Sequence, residues 1–178
     1  MKIKIFTLAL IITILMSTLG TVSYADTFTA TKFAYHQNFY LNNYNKFLNQ
    51  HKKAQVEKLI YNYEKNFVNA INSGDFAFIS SYLLPGSKIC KTQRTAVKTY
   101  YERGIKERLI SHKIKSMSEF DNGDFRVVVN EKLYIQKGNQ PLEYREFENI
   151  YRVTRTNTDY KMSQILSVKI LESKTIKN

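Results

Sequence analysis

FRVVVNEKLYIQKGNQPLEYREFENIYRVT, residues 125–154, decides the fold. Phe125 to Gln136 alternates, the two-residue period of a strand with one buried face. Gly138-Asn139-Gln140-Pro141 then turns the chain, and Tyr144 to Thr154 alternates again. Upstream, Asn122-Gly123 separates this stretch from an extended run starting near Ser111, and Asn-Gly between two such runs is the strongest short hairpin signal. Downstream, Asn157-Thr158 makes a further turn before a last run from Tyr160 to Leu171. These runs predict a four-stranded antiparallel meander.

Before the strands the period is near four. Val56, Leu59, Ile60, Tyr63, Phe67, Ala70 and Ile71 trace one apolar helical stripe, with Glu57, Lys58, Asn62, Glu64, Lys65 and Asn69 placed off it. Ser73-Gly74 ends this helix, since Gly accepts the left-handed conformation that closes one. Asp75 is positioned to cap a short second helix carrying Phe76, Ile79, Tyr82 and Leu83. After Leu84-Pro85-Gly86, Ser87 caps a third, expected to run to about Leu109 with a bend at Gly104. Helices followed by a meander predict an α+β domain, three helices packed on a curved sheet.

Maximising apolar pairs across strands sets Val127 opposite Val153, Val129 opposite Tyr151, Glu131 opposite Asn149 and Leu133 opposite Phe147. Across the next turn it sets Val153 opposite Met162, Tyr151 opposite Gln164, Asn149 opposite Leu166 and Phe147 opposite Val168. The inner face is then apolar apart from a central cluster of Glu131, Asn149, Tyr151 and Gln164. A carboxylate on an apolar face is costly unless bonded or paired. Glu131 therefore has two readings: a general base or ligand anchor with its pKa raised by burial, or a structural glutamate satisfied by its neighbours.

Charge is concentrated elsewhere. The 178 residues hold 27 Lys and Arg against 15 Asp and Glu, a formal net charge of +12. Between Lys88 and Lys115 stand nine cations (Lys88, Lys91, Arg94, Lys98, Arg103, Lys106, Arg108, Lys113, Lys115) against only Glu102 and Glu107, a net +7. Lys88, Lys91, Arg94 and Lys98 fall close to one side of a helix. This is either a solvated face or a patch for an anionic polymer or membrane surface.

Residues 1–25 read as a secretory signal peptide: Lys2 and Lys4, an apolar run from Ile5 to Met16, then Ser23-Tyr24-Ala25 before the cleavage point. The alternative is an uncleaved N-terminal membrane anchor. Cleavage would leave 25 cations against 15 anions, +10, outside the cytoplasm, where surface acids are commoner partners than nucleic acid. Residues 26–51 form an aromatic, Asn-rich helical arm or spacer, with Phe33, His36, Tyr40, Tyr44, Phe47 and His51 on one face, a surface available to a protein partner. The α+β domain then covers 52–172, and 173–178 is a C-terminal tail.

Several chemistries are excluded. One cysteine, Cys90, makes neither an internal disulfide nor a Cys-rich zinc site, and reads as a small apolar residue. His36, His51 and His112 lack metal-ligand spacing, so no metal and no cofactor is expected. No serine nucleophile elbow or phosphate-binding glycine loop occurs.

Four segments carry a resemblance: Ala70-Ile71-Asn72-Ser73-Gly74-Asp75-Phe76, Tyr82-Leu83-Leu84-Pro85-Gly86-Ser87, Val129-Asn130-Glu131-Lys132-Leu133-Tyr134-Ile135 and Phe147-Glu148-Asn149-Ile150-Tyr151-Arg152-Val153. Over residues 55 to 172 the chain resembles the nuclear-transport-factor-2-like domain of TcaA-type, teicoplanin-resistance-associated cell-envelope proteins of Gram-positive bacteria. The resemblance implies a cone-shaped α+β fold, an envelope location and a non-enzymatic role. TcaA-type proteins carry an N-terminal Cys-rich zinc ribbon, an internal membrane helix and further extracellular domains, whereas this sequence is expected to hold a signal-like start, a short aromatic arm and one domain. The wider fold family includes isomerases and dehydratases with polar cone interiors. Two function classes thus stand: an exported binding domain whose basic helix meets anionic wall polymer, and a ligand carrier or enzyme working around Glu131.

Overall fold

The structure is a computed structural model that describes residues 24–176. The expected leader lies outside the described residues except for Tyr24 and Ala25. Helices α1 (Tyr24–Ser73), α2 (Ala77–Ser80) and α3 (Lys88–Glu102) precede strands β1 (Ile105–Glu119), β2 (Phe125–Lys137), β3 (Glu143–Arg155) and β4 (Tyr160–Thr175). The chain divides into two compact units, up to Asn49 and from Gln50. In the first, residues 24–49 are helical, with Tyr35, Phe39, Tyr40 and Tyr44 exposed. No helix among the described residues is long and apolar enough to cross a membrane.

In the second unit the stripe of α1 faces a sheet of order β1-β2-β3-β4, all neighbours antiparallel. Val56, Ile60, Tyr63 and Ile71 pack with Val127, Val129, Val153 and Met162, all of them nearly fully buried. Each such side chain contributes about 1.5–3 kcal/mol relative to exposure. Ser87 caps α3 as expected, its Oγ accepting from the Cys90 amide at 3.3 Å. A parallel bridge ties the α2–α3 connection to β4: the Leu84 amide donates to the Met162 carbonyl at 2.8 Å, and the Met162 amide to the Tyr82 carbonyl at 2.9 Å. Cys90 is free and half-buried against the core.

Every register shift falls on an edge strand. Ile110 and Lys115 are the extra residues of β1, and Ser163, Leu166 and Leu171 those of β4, whereas β2 and β3 pair without interruption. An extra residue bends and twists its strand, so bulges confined to the edges curve the sheet over its helices and also disfavour edge pairing.

Three expectations are corrected. α3 stops at Glu102, where Gly104, with φ +64°, closes it, and β1 begins at Ile105 rather than near Ser111. The β2–β3 register is displaced by two residues: Val127 pairs with Tyr151, Val129 with Asn149, Glu131 with Phe147 and Leu133 with Arg145. A shift of two preserves which face each side chain takes, so the inner face survives the error. β4 runs on to Thr175 instead of ending at Leu171.

Candidate functional site

The helices and the inner face of the sheet enclose a cavity of about 510 Å³. Its buried polar lining comes from five different elements: Glu64 of α1, Gln93 of α3, Glu107 of β1, Glu131 of β2 and Asn149 of β3, only 1%, 6%, 9%, 5% and 6% exposed. Three carboxyl groups buried in one hollow are expensive, and each responds by holding its proton more tightly.

Asn149 donates from Nδ2 to Oε2 of Glu131 at 3.1 Å. Burial, and then the charge of Glu64, raise the Glu131 carboxyl well above the ordinary carboxylate range. Burial also raises Glu64, but hydrogen bonds with Glu131 and Tyr151 offset it. Glu64 and Glu131 therefore titrate together, a charge on one disfavouring a charge on the other. Burial, joined by the charge of Glu131 and opposed by Arg145, pushes Glu107 to about 7.

The structure brings Glu131, Asn149 and Tyr151 together on the cavity wall. Gln164 is not there. It is exposed and stands opposite Arg152, because the bulge at Ser163 inverts the alternation of β4 beyond Met162. Val168, not Leu166, faces Asn149, since Leu166 is itself a bulge residue. His112 stands across from Glu131 in the register, yet its ring packs edge-on to Tyr61 at 5.0 Å in a separate hollow with Ile60 and Ile114.

Glu64 and Glu107 are the residues that sequence reasoning missed. Val56, Ile60, Glu64 and Val68 recur every four residues and are all buried, so Glu64 sits within an apolar row and not beside it. Glu107 was hidden by extending α3 past Gly104. On a strand, Ile105 and Glu107 face inward while Lys106 and Arg108 face out.

Toward solvent the cavity lining changes sign. Arg103 is exposed, and Lys137 and Arg145 are half-buried, both bonded to Glu143, at 3.0 and 2.6 Å. Apolar wall comes from Leu133, Phe147, Ile165 and Val168. A carboxyl pair that holds protons more tightly than usual can serve a general acid or base, or can anchor a ligand that donates hydrogen bonds.

Lys88, Lys91, Arg94 and Lys98 are all exposed along α3. Arg94 lies over the Phe76 ring, 4.2 Å from its centroid, and Lys98 reaches Glu102 at 3.8 Å. Lys106, Arg108, Lys113 and Lys115 are on β1 and also exposed, so the charged surface spans a helix and a strand.

Residues 52–166 match the family described as the TcaA protein NTF2-like domain. No curated protein matches the chain. Among solved structures, the chain is similar to the intermembrane space region of the chloroplast protein ARC6, at 13% identity and a TM-score of 0.53, covering 65% of this chain and 93% of that one. At that identity the likeness concerns the fold.

Proposed function

The chain belongs to the family of TcaA NTF2-like domains, and from that premise we propose that it is an extracytoplasmic, envelope-associated binding domain that contacts anionic cell-wall polymer through α3. Uncompensated charge carries this reading. Of the nine cations between Lys88 and Lys115, Lys98 alone has a carboxylate within 4 Å among the described residues. A field of one sign that the protein does not neutralise attracts a polyanion, and salt screens it.

The test is sedimentation of the leader-free chain, residues 26–178, with cell-wall sacculi before and after removal of their teichoic acids. Binding is expected to require the polymer and to fade between 0.1 and 1 M salt, as the screening length falls from about 10 to about 3 Å. Binding indifferent to salt and to stripping would reject the reading.

The Glu64–Glu131 pair favours a second reading, in which the interior serves a small-molecule carrier or an isomerase- or dehydratase-like enzyme. Two neighbouring carboxyl groups that both hold protons more tightly than usual supply candidates for an acid and a base within one hollow. Turnover abolished by Glu131→Gln would select the enzyme, and binding without turnover the carrier.

A further inference from the structure

We propose that the hollow bounded by Glu64, Gln93, Glu107 and Glu131 binds a small organic ammonium ion with a short apolar body. The inference deepens the second reading by naming a ligand class, and is independent of the basic face.

Hydrogen-bond accounting leads to this class. Oε1 of Glu64, Oε1 of Glu131, Oε2 of Glu107 and Oε1 of Gln93 are buried and have no hydrogen-bond partner among the described residues. Of the lining donors, Asn149 is committed to Glu131 and Tyr151 to Glu64. Gln93 is informative beyond the acids. It is a neutral side chain, 6% exposed, that lines the hollow, and its carbonyl oxygen meets no donor among the described residues. Acceptors left over in this number call for a ligand rich in N–H donors, and an ammonium group offers three. Such a ligand would also relieve the charge repulsion between Glu64 and Glu131.

A metal ion is the poorer fit: no three His, Cys, Asp or Glu side chains among the described residues are grouped closely enough to hold one. The apolar body follows from Leu133, Phe147, Ile165 and Val168, which line the cavity with the acceptors. A volume of about 510 Å³ is within the range that takes small ligands. The outer cations are a weak barrier, because Lys137 and Arg145 share Glu143 and Arg103 is exposed to screening.

The experiment titrates the full chain with three six-carbon probes, hexylammonium, hexan-1-ol and hexanoate, followed by calorimetry and by the side-chain amide NMR signals of Gln93 and Asn149. Hexylammonium is expected to bind and move both signals, with hexan-1-ol about tenfold or more weaker and hexanoate inert. Glu131→Gln and Glu107→Gln should each weaken hexylammonium by about tenfold. If Glu131→Gln fails to fold, Glu107→Gln, on the edge strand, decides alone. Equal binding of hexan-1-ol overturns the ammonium assignment while leaving the interior a ligand site, and preference for hexanoate overturns it in favour of the outer cations. Binding of none of the three overturns this inference and removes support from the interior reading together.

Discussion

Asn149 and Glu131 meet on a diagonal: Nδ2 reaches Oε2 at 3.1 Å although Asn149 stands opposite Val129 and Glu131 opposite Phe147. Diagonal neighbours in an antiparallel pair are within reach only of long side chains, so glutamate length is needed here. Asn149→Ala leaves a buried carboxyl with both oxygens short of donors in place of one. It is expected to cost about 1–3 kcal/mol in denaturant unfolding. Replacing both, as Glu131→Leu with Asn149→Val, should recover most of that loss. A double variant no more stable than Asn149→Ala would contradict the assignment.

The buried acids set a pH dependence whose sign is fixed. The Glu107 carboxyl loses its proton at about 7 in the folded chain against an ordinary 4.5. Between those values the folded state holds more protons than the unfolded state, so stability falls as pH rises. The contribution is full below about 4.5 and gone above about 7, and Glu131 and Glu64 act in the same direction. The opposite behaviour belongs to Glu143, held low by Lys137, and Asp159, held low by Lys161, which lose stability only in strong acid. Tm should therefore peak in mild acid and decline toward pH 8. Glu107→Gln should remove at most roughly 3 kcal/mol of that decline, at 1.36 kcal/mol per pKa unit. A wild-type Tm that climbs from pH 5 to 8 would refute the arrangement.

What the sequence disclosed and what it concealed share a physical basis. Central strands β2 and β3 pair without bulges, so alternation there reports the faces correctly, and Glu131, Asn149 and Tyr151 were identifiable even with the register two residues off. On β4, three bulges each invert the alternation, and nothing in the residue types of Ser163, Leu166 or Leu171 announces them. Gln164 was misplaced for that reason. Glu64 was legible in principle from its place in a four-residue apolar row, and Glu107 from reading Gly104 as a helix end. Burying a carboxylate is a property of the assembled hollow, to which α1 and β1 contribute from 43 positions apart, and local pattern carries none of it.

Gly74 is constrained twice over. Its φ is +74°, and a Cβ there would stand 2.7 Å from the Tyr101 ring, closer than real contacts allow. Gly74→Ala should therefore destabilise by more than the roughly 1 kcal/mol that the left-handed backbone alone costs a side chain. Pairing it with Tyr101→Ala removes the clash, so the two changes should be less damaging together than their sum. Strict additivity of Tm losses would show that the ring does not constrain this turn.

Asp124 staples the end of the β2–β3 hairpin. Its Oδ2 accepts from Arg152 Nε at 2.8 Å and from Thr154 Oγ1 at 3.3 Å, and its Oδ1 accepts from the Arg155 amide at 3.3 Å. Burial would raise this carboxyl, but its bonds to Arg152 and the Arg155 amide hold it below the usual range. Asp124→Asn keeps the shape and removes the charge, with an expected loss of about 1.5–3 kcal/mol, the worth of hydrogen bonds to a charged group. Hydrogen exchange at Arg155 should quicken with it. Unchanged protection there would show that the carboxylate does not hold this strand end.

On the basic face the four α3 cations are not equivalent, and the difference separates polymer contact from mere solubility. Lys98 is partly compensated by Glu102, whereas Lys91 has no acidic partner among the described residues, so Lys91→Gln should weaken polymer binding more than Lys98→Gln. Neither exposed lysine packs on the core, so both variants should keep the wild-type Tm. Arg94 differs because its guanidinium covers Phe76, and Arg94→Gln should lower binding and also cost about 0.5–1 kcal/mol of stability. If the face only kept the protein soluble, the three substitutions would leave sedimentation with sacculi unchanged and differ in Tm alone. Binding losses ordered Lys91 above Lys98, with a Tm loss confined to Arg94, are what a charge-reading surface on α3 requires.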